Sequence, residues 1–181
     1  MSPSIRALSV LLLSRPLRTS FLLVAITFMA CLLSGGASYP LAVTSDDAVA
    51  VDRAVRAFMQ TVSHSVNQDG PLAWIKYFDK SPAFFMAVNG QMAFANASAA
   101  QEGTRKFAQT IRQIELKWGD DLRVDPLTSK YAVVGVSWRE VQIDTDGHSV
   151  TETGYFTALA EFGDGHWQFR DAHWSAPVLS H

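Results

Sequence analysis

The C-terminal part of the chain most narrowly limits what it can fold into. Tyr131 to Ile143, Ser149 to Phe162 and His166 to Ser175 are consecutive stretches rich in Val, Thr, Ile and aromatic residues. Such side chains suit a pleated, half-buried surface. Only Asp144-Thr145-Asp146-Gly147 and Gly163-Asp164-Gly165 separate them. Turns this short join antiparallel neighbours, since a parallel crossover needs a dozen residues or more. A meander of three long strands follows. Ile114 to Leu127 reads as a further strand, bent or bulged where Gly119-Asp120 interrupts it.

The residues before the meander are largely helical. Thr44 or Ser45 can cap a helix whose first turn holds Asp46 and Asp47, where acidic groups complement the positive end of the helix dipole. Val51, Val55, Phe58, Val62 and Val66 then recur at helical spacing. Asn67-Gln68-Asp69-Gly70 ends this helix, and Pro71 opens a short second one, Leu72 to Phe78. Phe84 to Val88 and Gln91 to Ala95 flank Asn89-Gly90, a strong hairpin signal. A third helix is predicted from about Ser98 to Gln113, with Ala100, Thr104, Phe107, Ile111 and Ile114 on its inner side. Helices first and a sheet last predict an α+β domain.

Charge divides the chain. Arg6, Arg15 and Arg18 are the only ionised side chains before Asp46. The remainder holds 12 Lys/Arg against 17 Asp/Glu, a balance of −5. A mildly acidic domain without a basic stripe argues against nucleic acid as a partner. Ser20 to Leu33 is an uncharged, mostly apolar run behind the basic flank, and Ser34-Gly35-Gly36-Ala37 supplies small residues for cleavage after Ala37. This predicts a signal peptide over residues 1–37, or a retained membrane anchor in its place. A linker over 38–45, a domain over 46–176 and a tail over 177–181 complete the expected organisation. The protein is expected to be exported, periplasmic or secreted, with the membrane a partner only if the N-terminal segment is retained. The single cysteine, Cys31, lies in the apolar run, so cleavage would leave no thiol and no disulfide.

The order of elements resembles the NTF2-like superfamily over about Asp46 to Ser175. The ending Gly165-His166-Trp167-Gln168-Phe169-Arg170-Asp171-Ala172-His173-Trp174-Ser175 is similar to the closing strand of its SnoaL-like branch. Asn89-Gly90 after an aromatic strand fits the first hairpin of that superfamily. The resemblance implies a cystatin-like cone, with three helices packed on a strongly curved antiparallel sheet. It also implies a pocket at the open end and a homodimer formed through the outer sheet face. Fold alone leaves function open, because these domains include isomerases, cyclases, dehydratases and scaffolds.

Asp171 and His173 are two apart on a predicted strand and so share a face with Trp167, Phe169 and Ser175. If that face lines the pocket, they are a candidate catalytic acid–base pair. Trp74, Tyr77, Phe78, Phe85, Tyr155 and Phe169 are candidate ligand-binding residues; Tyr77 or Tyr155 could donate to a ligand carbonyl. Trp138 and Trp174 are candidates for an outward dimer patch. His64, His148, His166 and His181 show no metal-ligand spacing, and no GxSxG, GxGxxG or P-loop occurs. Neither a metal nor a cofactor is expected. The leading expectation is a domain that binds a small apolar molecule, with or without acid–base turnover. The competing one is a membrane-anchored assembly scaffold without activity.

Overall fold

A computed structural model describes residues 43–177; the expected signal segment, most of the linker and most of the C-terminal tail lie outside the described residues. Helix α1 spans Ser45–Asp69, and Thr44 caps it by accepting the Asp47 N–H. Val51, Val55, Phe58, Val62 and Val66 are all buried, as their spacing predicts, together with Met59. Asn67 anchors the end of the helix. Its side chain accepts the Leu116 N–H at 2.6 Å and donates to the Leu116 carbonyl at 3.0 Å, so α1 is tied to the backbone of a sheet strand. Among the described residues no helix is long and apolar enough to cross a membrane.

The expected second helix is a 3₁₀ segment, Pro71–Lys76. Its tighter winding aims Trp74 and the following Phe78 inward, with their rings stacked 5.9 Å apart. Strands β1 (Phe85–Val88) and β2 (Gln91–Phe94) form the expected hairpin. Asn89 and Gly90 have φ of 50° and 79°, the left-handed pair that a two-residue primed turn requires. Helix α2, Ala97–Thr110, begins at an Asn96 cap and ends three residues short of Gln113. From Ile111 the backbone pairs with a later strand instead, so Ile111 and Ile114 are strand residues.

The stretch predicted as one interrupted strand is two, β3 (Ile111–Trp118) and β4 (Arg123–Pro126), both paired with β5 (Tyr131–Asp144). With β6 (Ser149–Gly163) and β7 (His166–Ser175) they complete a seven-stranded sheet in the order β2-β1-β7-β6-β5-β3, with β4 on β5. The antiparallel expectation needs one correction. The sheet is mixed, because β1 lies parallel to β7. The long segment through β2, α2, β3, β4, β5 and β6 returns the chain to β1 in the same direction, which a hairpin connection would forbid.

A bulge in β7 decides which side chains face the core. Phe169 pairs with Ala160 and Asp171 with Leu159, leaving Arg170 without a partner on β6. The extra residue shifts the alternation by one. Phe169, Ala172 and Trp174 therefore face inward, while Asp171 and His173 face out. The inner aromatic rings meet around Trp174, whose ring centre lies 4.6 Å from Phe156, 5.1 Å from Trp138 and 5.5 Å from Trp74.

Candidate functional site

Strand β5 alternates with a period of two. Ala132, Val134, Val136 and Trp138 are buried on the inner face, and the next residue in that series is a carboxylic acid, Glu140, only 8% exposed. Gln142 continues the series and donates its Nε2–H to Glu140 Oε1. Directly across β6 stands Glu152, the register partner of Glu140, at an exposed position. Burial raises the Glu140 pKa, the Gln142 hydrogen bond opposes that rise, and the charge of Glu152 adds to it. The cause is physical: a carboxylate away from water and beside a second negative charge is costly to form.

Glu140 opens into a cavity of about 380 Å³, within the size range of small-molecule sites. The 3₁₀ segment and the residues after it supply Trp74 and Phe78; the hairpin supplies Met86, Val88, Asn89 and Phe94. Helix α2 adds Thr104 and Phe107, and the sheet adds Trp138, Gln142, Glu152 and Trp174. Two glycines make room for these walls. A Cβ on Gly103 of α2 would overlap the Phe94 ring, and one on Gly154 of β6 would overlap the Ser175 carbonyl and crowd Trp138. The Trp138 Nε1–H is buried without a hydrogen-bond partner among the described residues.

Of the sequence-predicted site residues, only Trp74 and Phe78 line this cavity. Phe169 is fully buried behind them, its ring 6.4 Å from Trp74. The Tyr77 hydroxyl is spent on Ser65 Oγ at 2.5 Å. Phe85 and Tyr155 are exposed, at 41% and 42%, and Tyr155 borders a more open hollow of about 700 Å³ with Lys117 and Arg139. The expected catalytic pair does not form on the inner face. His173 is exposed, and Asp171 pairs with Arg170 at 2.9 Å. Burial raises the Asp171 pKa; Arg170 opposes this, while Asp79 and Glu161 add to it. Trp138 and Trp174, expected to face outward, are inner-face residues. The bulge explains the displacement on β7, since the shared-face argument assumes unbroken alternation.

Glu140 and Gln142 escaped the sequence reading, although a signal for them was present. The series Ala132, Val134, Val136, Trp138 is apolar at every second position, and Glu140 occupies the next place in it. An acid on the apolar face of a strand must be neutral, paired or functional.

Helices closing over a curved, unclosed mixed sheet, with a cavity between them, define the class: this chain has the NTF2-like fold. Solved structures carry the same architecture. An NTF2-like superfamily protein from Salmonella enterica superposes with a TM-score of 0.62 at 16% identity, over 74% of this chain and 95% of that one. A protein described as a scytalone dehydratase from Novosphingobium aromaticivorans reaches 0.65 at 14% identity, over 75% and 89%. A hexachlorocyclohexane dehydrochlorinase, LinA type 2, reaches 0.58 at 11% identity, over 76% and 96%. No protein-family model matches the sequence, and no curated protein matches it.

Proposed function

We propose that this domain binds a small, largely apolar molecule in the cavity and that Glu140 performs acid–base chemistry on it. The observation that carries this reading is a carboxyl group, 8% exposed, in a cavity walled by aromatic rings. A carboxylic acid whose pKa burial has raised holds a proton that it can donate to a bound oxygen or nitrogen. Its conjugate base can then take a proton from a neighbouring carbon. Gln142 fixes the orientation of Oε1, leaving the other oxygen to act. Two proteins of the same fold, the described scytalone dehydratase and the dehydrochlorinase, bear the names of elimination enzymes, and eliminations need such a proton transfer. At 14% and 11% identity the likeness shows the fold alone, so the reaction class rests on Glu140 in its cavity.

Export of the domain and pairing of two copies through the outer sheet face belong to the same proposal. Phe85, Val133 and Tyr155 are the exposed apolar side chains that would meet there.

The test of the cavity uses N-phenyl-1-naphthylamine, a neutral fluorophore, titrated into the full chain. Saturable binding is expected, and Val88→Trp, which fills the space, should abolish it. A folded wild-type protein that takes up no probe would overturn the reading. For any substrate found by screening, Glu140→Gln should lower kcat by roughly 10²–10⁴-fold with KM little changed.

A further inference from the structure

Every charged side chain that lines the cavity is acidic. Glu140 and Glu152 are the two, and no Lys, Arg or His joins them among the described residues. The other dominant lining is aromatic: Trp74, Phe78, Phe94, Phe107, Trp138 and Trp174. Aromatic faces carry negative electrostatic potential. An interior of ring faces and carboxyl groups, with no positive group to balance them, repels anions and attracts cations.

Resting on the small-molecule reading above, we propose that the cavity selects an organic cation, an amine or quaternary ammonium carried on an apolar body, over a neutral molecule of the same shape. The protein's own charge balance argues the same way. Glu140 is buried with Gln142 as its hydrogen-bond donor, and Gln142 carries no charge to pair with it. On β3, Leu116 is its register partner; α2 brings Thr104 and Phe107 to the cavity; β6 brings Glu152. Among the described residues none of these elements sets a cation there. Glu140 can therefore ionise in place at low cost only beside a positive charge from outside the protein, and an ammonium ligand would be that partner. Rings of Trp74, Trp138 and Trp174, packed edge to face around Trp174, would surround its apolar and cationic parts, as aromatic cages do for quaternary ammonium groups.

Binding would then be linked to protons. Below the raised pKa of Glu140 an arriving cation displaces the carboxyl proton, and above it the carboxylate is ready. Affinity for the cation therefore rises with pH through that range, while affinity for a neutral molecule does not.

The experiment compares benzyltrimethylammonium with neopentylbenzene, its uncharged isostere, by tryptophan quenching and calorimetry on the full chain. The expected result is at least tenfold tighter binding of the cation. Calorimetry in buffers of different ionisation enthalpy should also register proton release at low pH. Glu140→Gln should erase the preference and the proton release while neopentylbenzene still binds. Glu152→Gln should keep most of the preference, because the buried carboxyl remains. Equal or tighter binding of neopentylbenzene to the wild type overturns the cation inference and leaves the small-molecule reading standing. A preference that survives Glu140→Gln overturns the assignment of Glu140 as counter-ion. Failure of both probes to bind a protein that circular dichroism shows folded overturns both readings.

Discussion

Glu140 and Glu152 face each other across β5 and β6, one buried at the cavity wall and the other exposed. Directly opposed strand residues bring their Cβ atoms to about 4.5–5.5 Å. Like charges at that spacing repel.

This pair makes stability depend on pH. The Glu140 pKa is raised on folding, chiefly by burial, so over part of the pH range the folded state keeps a proton that the unfolded state has lost. Its contribution is intact below the ordinary carboxylate range and declines as pH rises toward the raised value. Urea denaturation across pH should show that decline in the wild type and none from this site in Glu140→Gln. In Glu152→Gln the decline should end at lower pH and be smaller, because one repelling charge is gone. Matching profiles for all three proteins would contradict the assignment.

Gly154→Ala should be among the most damaging small substitutions. The added methyl would overlap the Ser175 carbonyl, which is backbone and cannot rotate away, and would push on Trp138. Overpacking of this kind costs about 3 kcal/mol. A midpoint shift in denaturant measures it; a cost below about 0.5 kcal/mol would mean that β6 and β7 yield there more easily than their pairing implies.

Arg170 holds together the outer face at the β7 bulge. Its guanidinium lies near Asp79, Glu161 and Asp171 and donates to the Ala83 carbonyl at 2.6 Å. Asp79 also accepts from Gln168 at 3.3 Å. Arg170→Ala leaves three carboxylates without their shared cation. The expected loss at neutral pH is about 2–3 kcal/mol, below that of a fully buried pair because water reaches the group. The deficit should shrink in acid as the carboxylates take up protons. Thermal melts at two pH values test both parts.

Two adjacent residues should behave oppositely. His173 is exposed on the outer face, so His173→Ala should change stability by less than about 0.5 kcal/mol and leave probe binding intact. Trp174 sits among Trp74, Trp138 and Phe156, and Trp174→Ala should cost about 3–5 kcal/mol. Loss of binding in the His173 variant without loss of fold would reverse the facing argument.

The amino-acid sequence by itself determined the elements. Helical spacing from Val51 to Val66, Asn89-Gly90 at a primed turn, and the two tight turns of the meander are local signals, and each element formed near its predicted place. The strand series Ala132, Val134, Val136 and Trp138 that leads to Glu140 is a local signal of the same kind. What only the tertiary structure decided is which face of β7 looks inward and where β1 attaches. A bulge exists only relative to a partner strand, so Arg170 carries no mark in the sequence that β6 will skip it. The parallel pairing of β1 with β7 joins residues more than eighty positions apart, and no local pattern encodes it. Those two long-range events place Asp171 and His173 outside the cavity and leave Glu140 as the candidate acid in it, because a cavity is enclosed by elements that meet only in the folded chain.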